Sequence, residues 1–196
     1  MVSHNGALYL PETLTALAGQ TRPADLFVGV DTGSTDNSLS LLRSGLPAGA
    51  TITEAPAKSG FGAAVQAGLS ALSAPDSPAE TVDWLWLLHD DSEPAPDALE
   101  ELLLAVERAP SVTIAGAKQV DWDNERLLVD VGVSVSRWAE RLTLIDADEL
   151  DQGQYNARSD FFAVNSAGML VRRDVWEALG GFDPALPGTG DDVDLC

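Results

Sequence analysis

The chain has 196 residues, of which 45% are hydrophobic and 21% are charged, a composition typical of one globular domain. Its 31 acidic and 11 basic residues give a net charge of −20, which excludes nucleic acid and anionic lipid as partners held by charge alone. No apolar run approaches the roughly 18 residues of a membrane span, and the single cysteine, Cys196, excludes an internal disulfide. These features predict a single domain over residues 1–196 that lacks a membrane span and resides in the reducing cytoplasm.

Strand and helix patterns alternate along residues 1–120. Apolar runs of strand character are separated by segments with apolar residues at helical spacing, which begin at proline or capping residues. The predicted strands cover 1–6, 26–30, 50–55, 84–88 and 112–120, and the predicted helices cover 11–19, 36–45, 63–72 and 97–108, with a surface loop over 74–80. The repeated strand–helix order predicts an α/β fold, with a mostly parallel central sheet flanked by helices in three α/β/α layers.

The pattern changes after residue 120. Residues 129–135 alternate apolar and small side chains, which is typical of an antiparallel or edge strand. Residues 145–158 are polar and loop-like, whereas 161–164 and 169–171 have strand character. Asp174 is predicted to cap a short helix over 175–179, and Asp191 begins another helix.

The most apolar stretch, residues 84–88, ends at His89, Asp90 and Asp91. An unbroken apolar run predicts a strand buried on both faces, and ligands in open α/β sheets bind just beyond the carboxyl ends of such strands. Carboxylate oxygens there suit Mg²⁺ or Mn²⁺, and an anionic ligand beside them would need such a cation. Alternatively, these residues only end the strand and lead through Ser92 into the next helix.

Other candidates follow neighbouring strands. Asp31 ends the strand over 26–30 at the same predicted edge, where it suits a base or ribose, although a turn role fits it equally well. Gly60-Phe61-Gly62 lacks the third glycine of a dinucleotide site and the Gly-Lys-Ser/Thr of a P-loop, so we interpret it as a tight turn into a helix. Lys58 is either a phosphate contact or a solvated lysine.

The remaining acidic and basic side chains restrict the chemistry. Asp191, Asp192 and Asp194 share a helix start, where carboxylates commonly act as caps. His4 and His89 are the only histidines and lie far apart in sequence, which disfavours a zinc site. No serine or cysteine stands in a nucleophile elbow, which disfavours covalent acyl transfer.

Several of these stretches occur together in an order that resembles the family 2 glycosyltransferases, which have the GT-A fold. The matching residues, which span essentially the whole chain, are Val2-Ser3-His4-Asn5, Asp31-Thr32-Gly33-Ser34-Thr35-Asp36, Ser59-Gly60-Phe61-Gly62-Ala63-Ala64, His89-Asp90-Asp91-Ser92, Phe182-Asp183 and Asp191-Asp192-Val193-Asp194-Leu195-Cys196.

The resemblance implies a UDP- or dTDP-sugar donor, a divalent metal (Mn²⁺ or Mg²⁺) on its diphosphate, and inversion at the anomeric carbon. It makes Asp192 the general base beside Asp191, and Asp91 the metal ligand together with His89. The residues implied to bind the nucleotide sugar are Ser3, His4, Asn5, Asp31, Lys58, Gly60, His89 and Asp90. The implied acceptor is a hydroxyl of a glycan or lipid-linked sugar, and the full-length protein would act in the cytoplasm at the inner face of the cell membrane.

Three features depart from the family pattern. His89 stands where many members carry the first aspartate of the metal motif, and Lys58 stands where asparagine is common. The chain also begins late in its first strand and stops before the Trp-Arg with which the family usually continues, so it resembles a catalytic domain trimmed at both ends. One alternative is a binding domain that has lost its chemistry. The other, a sugar-phosphate nucleotidyltransferase, is less favoured because residues 3–6 lack that class's Gly-rich loop with a basic residue.

Overall fold

The computed structural model describes residues 1–57, 59–72, 81–138, 140–186 and 190–196. Its elements are, in chain order, β1 (Val2–Ser3), α1 (Leu10–Ala18), β2 (Val28–Asp31), α2 (Ser38–Gly45), β3 (Thr51–Glu54), α3 (Phe61–Leu72), β4 (Trp84–Trp86), α4 (Ala98–Arg108), β5 (Ile114–Ala115), β6 (Gln119–Val120), β7 (Leu128–Asp130), β8 (Val133–Val135), β9 (Arg141–Thr143), β10 (Leu170–Arg172), α5 (Arg173–Leu179) and α6 (Asp191–Leu195). The predicted α/β alternation over the first half of the chain is confirmed.

Two three-stranded sheets meet edge to edge at Val2. The first has the order β1–β2–β3 and is parallel, and the second has the order β4–β10–β5, with β10 antiparallel to both neighbours. The Val2 amide donates to the Leu88 carbonyl at 3.0 Å, and Val2 forms a parallel bridge with His89. The carboxyl ends of β1, β2 and the β4 segment therefore lie at one edge of the combined sheet.

Side chains that alternate between the two faces of each strand pack against helices on both sides of the sheet, which gives three layers. On β2, Val30 faces α3, where a Cβ added to Gly68 would lie 2.8 Å from it, whereas Gly29 faces the opposite layer and Leu46. On β10, Leu170 packs with Leu102 of α4, and Val171 packs with Trp176 of α5. Successive residues of a strand point to opposite faces, so helices cover both sides of the sheet.

Helix faces predicted from sequence form the core. Leu10 and Leu14 of α1 pack with Leu42 of α2, and Leu99 and Leu102 of α4 pack under the second sheet. The cluster nearest the site is Val65, Leu87, Met169, Val171, Trp176, Phe182 and Leu195. No helix in the described part of the chain combines the length and apolar content needed to cross a bilayer.

Three predicted segments differ from the structure. The strand expected over 112–120 is divided into β5 and β6, which belong to different sheets. Between them, a Cβ added to Gly116 would lie 2.6 Å from Val164. The strand expected over 129–135 is interrupted at Gly132, whose φ of +117° suits only glycine, and residues 161–164 form a single bridge through Ala163. The loop predicted over 74–80 lies outside the described residues.

Candidate active site

Asp90 connects the turn after β4 to the turn after β1 through hydrogen bonds. Its Oδ2 accepts hydrogen bonds from the Ser3 hydroxyl and the His4 amide, both at 2.9 Å, and its carbonyl accepts one from Thr13 at 2.9 Å. Ser3 is fully buried. The side chains of Ser3 and Asp90, both predicted to bind the nucleotide sugar, are thus hydrogen-bonded to each other and shape the turn from within.

Gly6 lies directly against the Asp90 carboxylate, so Gly6→Ala should weaken both the fold and the site. A Cβ at position 6 would lie 2.1 Å from Oδ2, which the carboxylate can relieve only by leaving Ser3 and His4. We expect a loss of about 1–3 kcal/mol in the free energy of unfolding, measured by denaturant titration. Gly60→Ala is the matched control, because nothing lies within 4 Å of its added Cβ. An unchanged Gly6→Ala midpoint would contradict the tight packing.

His4 and Asn5 connect the β1 turn to the β2 turn. The Asn5 Oδ1 accepts the Thr35 amide at 2.8 Å, and the Asn5 amide donates to Ser34 Oγ at 2.9 Å, with Asn5 itself at a φ of +54°. His4 Nδ1 lies 3.0 Å from the Thr32 carbonyl, which can only accept, so this ring nitrogen carries a proton and donates it to that carbonyl. These contacts fix the two exposed side chains at the rim.

Asp31 supplies a buried carboxylate oxygen that has no partner. The side chain is 2% exposed, and its Oδ2 accepts the Gly33 and Ser34 amides at 3.0 and 2.9 Å. Its Oδ1 is buried without any hydrogen bond from the described residues. Buried carboxylate oxygens are almost always paired, so this atom is an exception among the residues that the structure describes.

His89 is held as a neutral side chain. Its ring packs on Phe61 with centroids 4.2 Å apart, and its Nε2 lies 3.2 Å from Ser166 Oγ. Burial lowers the pKa of His89 despite the opposing charges of Asp91, Asp90 and Asp191. The ring is therefore uncharged at neutral pH and contributes no positive charge to the cleft.

Asp91 has the most accessible carboxylate of the β4 motif. It is exposed, and no hydrogen bond or ion pair to it occurs among the described residues. Within those same ranges, no group of three or more His, Cys, Asp or Glu side chains is gathered as a metal cluster. Mg²⁺ and Mn²⁺ in phosphate sites are often held by one or two carboxylates plus the substrate's phosphates, and Asp91 fits that kind of site.

Asp191 and Asp192 lie buried at the start of α6. The Asp192 Oδ1 accepts a hydrogen bond from the Val193 amide at 2.9 Å. The Asp192 Oδ2 lies 3.2 Å from Nη1 of Arg141, and Nη2 of the same arginine lies 3.8 Å from Asp130. Asp191 is close enough to His89 for its charge to oppose the lowering of the histidine pKa. Asp191 therefore lies near His89 of the β4 motif, and Asp192 lies beside it at the start of the same helix.

The remaining predicted contacts are at the start of α3. Gly60 is exposed just before the helix and its carbonyl accepts the Ala64 amide at 3.1 Å, so its backbone is open to a ligand. Lys58 lies outside the described residues. Sequence reasoning missed Arg141 and Ser166, because their partners Asp192 and His89 are 51 and 77 positions away.

The fold is similar to that of several solved structures. TarS residues 1–349 of S. aureus in complex with UDP align with a TM-score of 0.63 at 16% identity, over 99% of this chain and 52% of that one. The mannosyltransferase PcManGT of Pyrobaculum calidifontis, in complex with GDP-Man and Mn²⁺, aligns with a TM-score of 0.65 at 20% identity, over 99% and 48%. Glucosyl-3-phosphoglycerate synthase of Mycobacterium tuberculosis with UDP aligns with a TM-score of 0.58 at 15% identity, over 99% and 61%.

These likenesses show the fold, which is GT-A, and the chain spans about half the length of the first two of these structures. No curated protein sequence matches the chain. A family model described as glycosyltransferase-like family 2 matches residues 2–196. The chain therefore belongs to glycosyltransferase-like family 2.

Proposed function

We propose that this domain binds a UDP- or dTDP-sugar and transfers the sugar, with inversion, to a hydroxyl of a glycan or lipid-linked acceptor. The observation that carries the proposal is the unpaired, buried Oδ1 of Asp31 at the sheet edge where the β1, β2 and β4 turns meet. Uracil and thymine both present a ring N–H, and ribose and deoxyribose both present a hydroxyl. Any of these groups can donate to that oxygen.

The rim around Asp31 is suited to a nucleoside. His4 and Asn5 are held in place by Thr32, Ser34 and Thr35, so their exposed edges need little ordering when a ligand binds. In this proposal Ser3 and Asp90 are positioning residues, since the Ser3 hydroxyl and the Asp90 carboxylate form a hydrogen bond with each other. Gly60 lies on the diphosphate side through its open backbone, with Lys58 nearby in sequence.

Asp91 would hold the divalent metal, Mn²⁺ or Mg²⁺, together with the donor's diphosphate. When bound, the metal neutralises the charge that develops on the leaving diphosphate. The chain needs such a cation, because Asp91, Asp191 and Asp192 otherwise repel an anionic donor. His89 remains a proposed ligand whose Nε2 could join only after leaving Ser166 Oγ.

Asp192 would be the general base. Its carboxylate would accept the acceptor hydroxyl proton as that oxygen forms a bond to the anomeric carbon, opposite the departing diphosphate. Attack from the opposite face inverts the configuration at that carbon. Arg141 and the Val193 amide orient the carboxylate, and Asp191 accepts the Asp192 amide at 3.1 Å, which fixes the first turn of α6.

The test is calorimetric titration of UDP with and without Mn²⁺, on the wild type and on Asp91→Ala. We expect Mn²⁺ to be needed for tight binding and the variant to lose at least about tenfold in affinity, as for loss of a metal-orienting group. Asp97→Ala is the matched control, because Asp97 makes no side-chain hydrogen bond at its helix cap. Equal Mn²⁺-dependent affinity for UDP in the wild type and in Asp91→Ala would contradict the assignment of Asp91 as a metal ligand. Parallel titrations with dTDP and GDP identify the preferred nucleotide.

The second candidate function is a nucleotide-sugar-binding domain without catalysis. It is favoured by His89, whose neutral ring replaces a carboxylate of the family's metal motif and already contacts Ser166. The two candidates differ in turnover: the first predicts sugar transfer from a bound donor with Mn²⁺, and the second predicts donor binding alone. The cell-envelope acceptor and the cytoplasmic, membrane-facing location are part of the first proposal and rest on the family.

A further inference from the structure

A cavity of about 200 Å³ lies on the Asp130 side of the Asp130–Arg141–Asp192 group of charges, and we call it the side pocket. Its wall includes Gly116, Lys118, Asp130, Asn156, Phe161 and Asn165. It is separate from the unpaired Asp31 oxygen and from Asp91, neither of which lines it.

The side pocket adjoins both halves of the cleft. On one side, the Asp130 carboxylate is 3.8 Å from Arg141, which in turn is 3.2 Å from Asp192. On the other side, Asn165 directly precedes Ser166, whose hydroxyl is 3.2 Å from His89. The Asp130 carboxylate and the Arg141 guanidinium therefore separate a group bound in the side pocket from the proposed base.

The polar lining offers both donors and acceptors at fixed positions. Lys118 is bonded to Asp151 and lies 3.1 Å from Asn156 Oδ1, which leaves the Asn156 NH₂ directed elsewhere. Asn165 Oδ1 accepts the Ala167 amide at 2.9 Å, so its NH₂ is also available. Within the described residues neither NH₂ group has a hydrogen-bond partner, and each can donate to a ligand hydroxyl.

The apolar side of the pocket is a fixed aromatic ring. Phe161 lies between Gly132, whose added Cβ would be 2.3 Å from the ring, and the Arg158 guanidinium, 5.0 Å from its centroid. The positive charges of Lys118 and Arg158 are balanced by Asp130 and Asp151 in the same region. The pocket thus combines amides, a carboxylate and an aromatic edge without an excess of either charge.

We propose that the side pocket is an acceptor subsite that binds one uncharged sugar residue of the acceptor. This inference rests on the proposed function, because it needs an acceptor hydroxyl that reaches Asp192. The cavity has room for a single six-membered sugar ring, whose hydroxyls pair with the two NH₂ groups and whose C–H groups contact the edge of Phe161. The subsite selects acceptors by the residue next to the reacting hydroxyl, independently of the donor.

The test uses ¹H–¹⁵N spectra of the protein titrated with methyl glycosides of glucose, galactose, mannose and N-acetylglucosamine, and separately with inorganic phosphate. Gly116 and Gly132 line the pocket and report on it, whereas Gly29 reports on the far part of the sheet. We expect at least one glycoside to shift the Gly116 and Gly132 signals and leave Gly29 unchanged. Asn156→Ala should weaken that binding about 2- to 10-fold, the loss expected for one hydrogen bond made by an exposed side chain.

Asn37→Ala is the matched control, since Asn37 is exposed at the start of α2 and makes no side-chain cap. UDP with Mn²⁺ is titrated on the same samples. Weaker glycoside binding in Asn156→Ala, with UDP binding kept, supports the subsite. UDP binding without any glycoside shift, equal glycoside affinity in Asn156→Ala, or a response to phosphate alone would overturn it. If glycosides bind and UDP does not, the donor proposal is contradicted, whereas sugar binding in the side pocket is still supported.

Discussion

Asp192→Asn is expected to reduce sugar transfer by about 10²- to 10⁴-fold while leaving donor affinity unchanged. Asparagine has the same shape and can still accept the Val193 amide through Oδ1, so the start of α6 should remain folded. It cannot accept a proton from the acceptor hydroxyl, which is the only step that the proposal assigns to this side chain. The measurement is the rate of sugar transfer from the donor to a glycan acceptor, together with calorimetric donor binding.

The control for Asp192→Asn is Asp194→Asn on the same helix. Asp194 is exposed and its carboxylate lies outside the Arg141 network, so this variant should transfer at the wild-type rate. A transfer rate near normal in Asp192→Asn would show that another group accepts the proton. Loss of donor binding in the same variant would show that the substitution disturbs the whole cleft and would contradict the base assignment.

Asp31→Asn should weaken UDP binding about 5- to 150-fold, which corresponds to about 1–3 kcal/mol for a buried hydrogen bond that is lost or mismatched. The amide can keep one oxygen on the Gly33 and Ser34 N–H groups. It then presents an NH₂ group where the unpaired Oδ1 now lies, so a donating group of the nucleoside meets another donor. Calorimetry with UDP and Mn²⁺ measures the effect.

Asp36→Asn is the matched control for Asp31→Asn. Asp36 also accepts backbone amides, those of Ala7 and Ser38, but it is exposed. Its hydrogen bond with the Ser38 hydroxyl lowers its pKa, so its replacement should cost stability and spare donor affinity. Wild-type UDP affinity in Asp31→Asn would mean that the unpaired oxygen does not face the nucleoside.

Local pattern was enough to predict which strand ends share one edge of the sheet. The apolar run over 84–88 and the run that ends at Asp31 both indicated strands, and their carboxyl ends do lie at one edge of the sheet. The predicted burial on both faces was wrong for β4, because its three residues are half-buried and the buried Leu87 and Leu88 follow the strand. The buried faces of α1 and α4 were predicted correctly, because apolar residues at helical spacing are visible in the sequence.

Local pattern could not predict which acidic side chains face the ligand. Asp90 and Asp91 are neighbours and look equivalent in sequence, yet Asp90 turns inward to Ser3, 87 positions away, and Asp91 stays exposed. Asp192 was predicted at a helix start, but its burial with Arg141 depends on a strand 51 positions earlier. The strand expected over 112–120 was also wrong, and Gly116 between its two parts packs against Val164, a long-range contact.

Because two sheets meet at Val2, a nucleotide that binds between them should increase the free energy of unfolding of the protein. The walls of the cleft belong to two sheets, which Val2 joins through Leu88 and which Ser3 joins through Asp90. A nucleotide bound across both walls recognises only the folded molecule, so by mass action it stabilises that state by about 2.7 kcal/mol at one hundred times its dissociation constant. A rise in melting temperature therefore reports any nucleotide that binds the folded molecule, whether it contacts one sheet or both, because only the folded state presents the site.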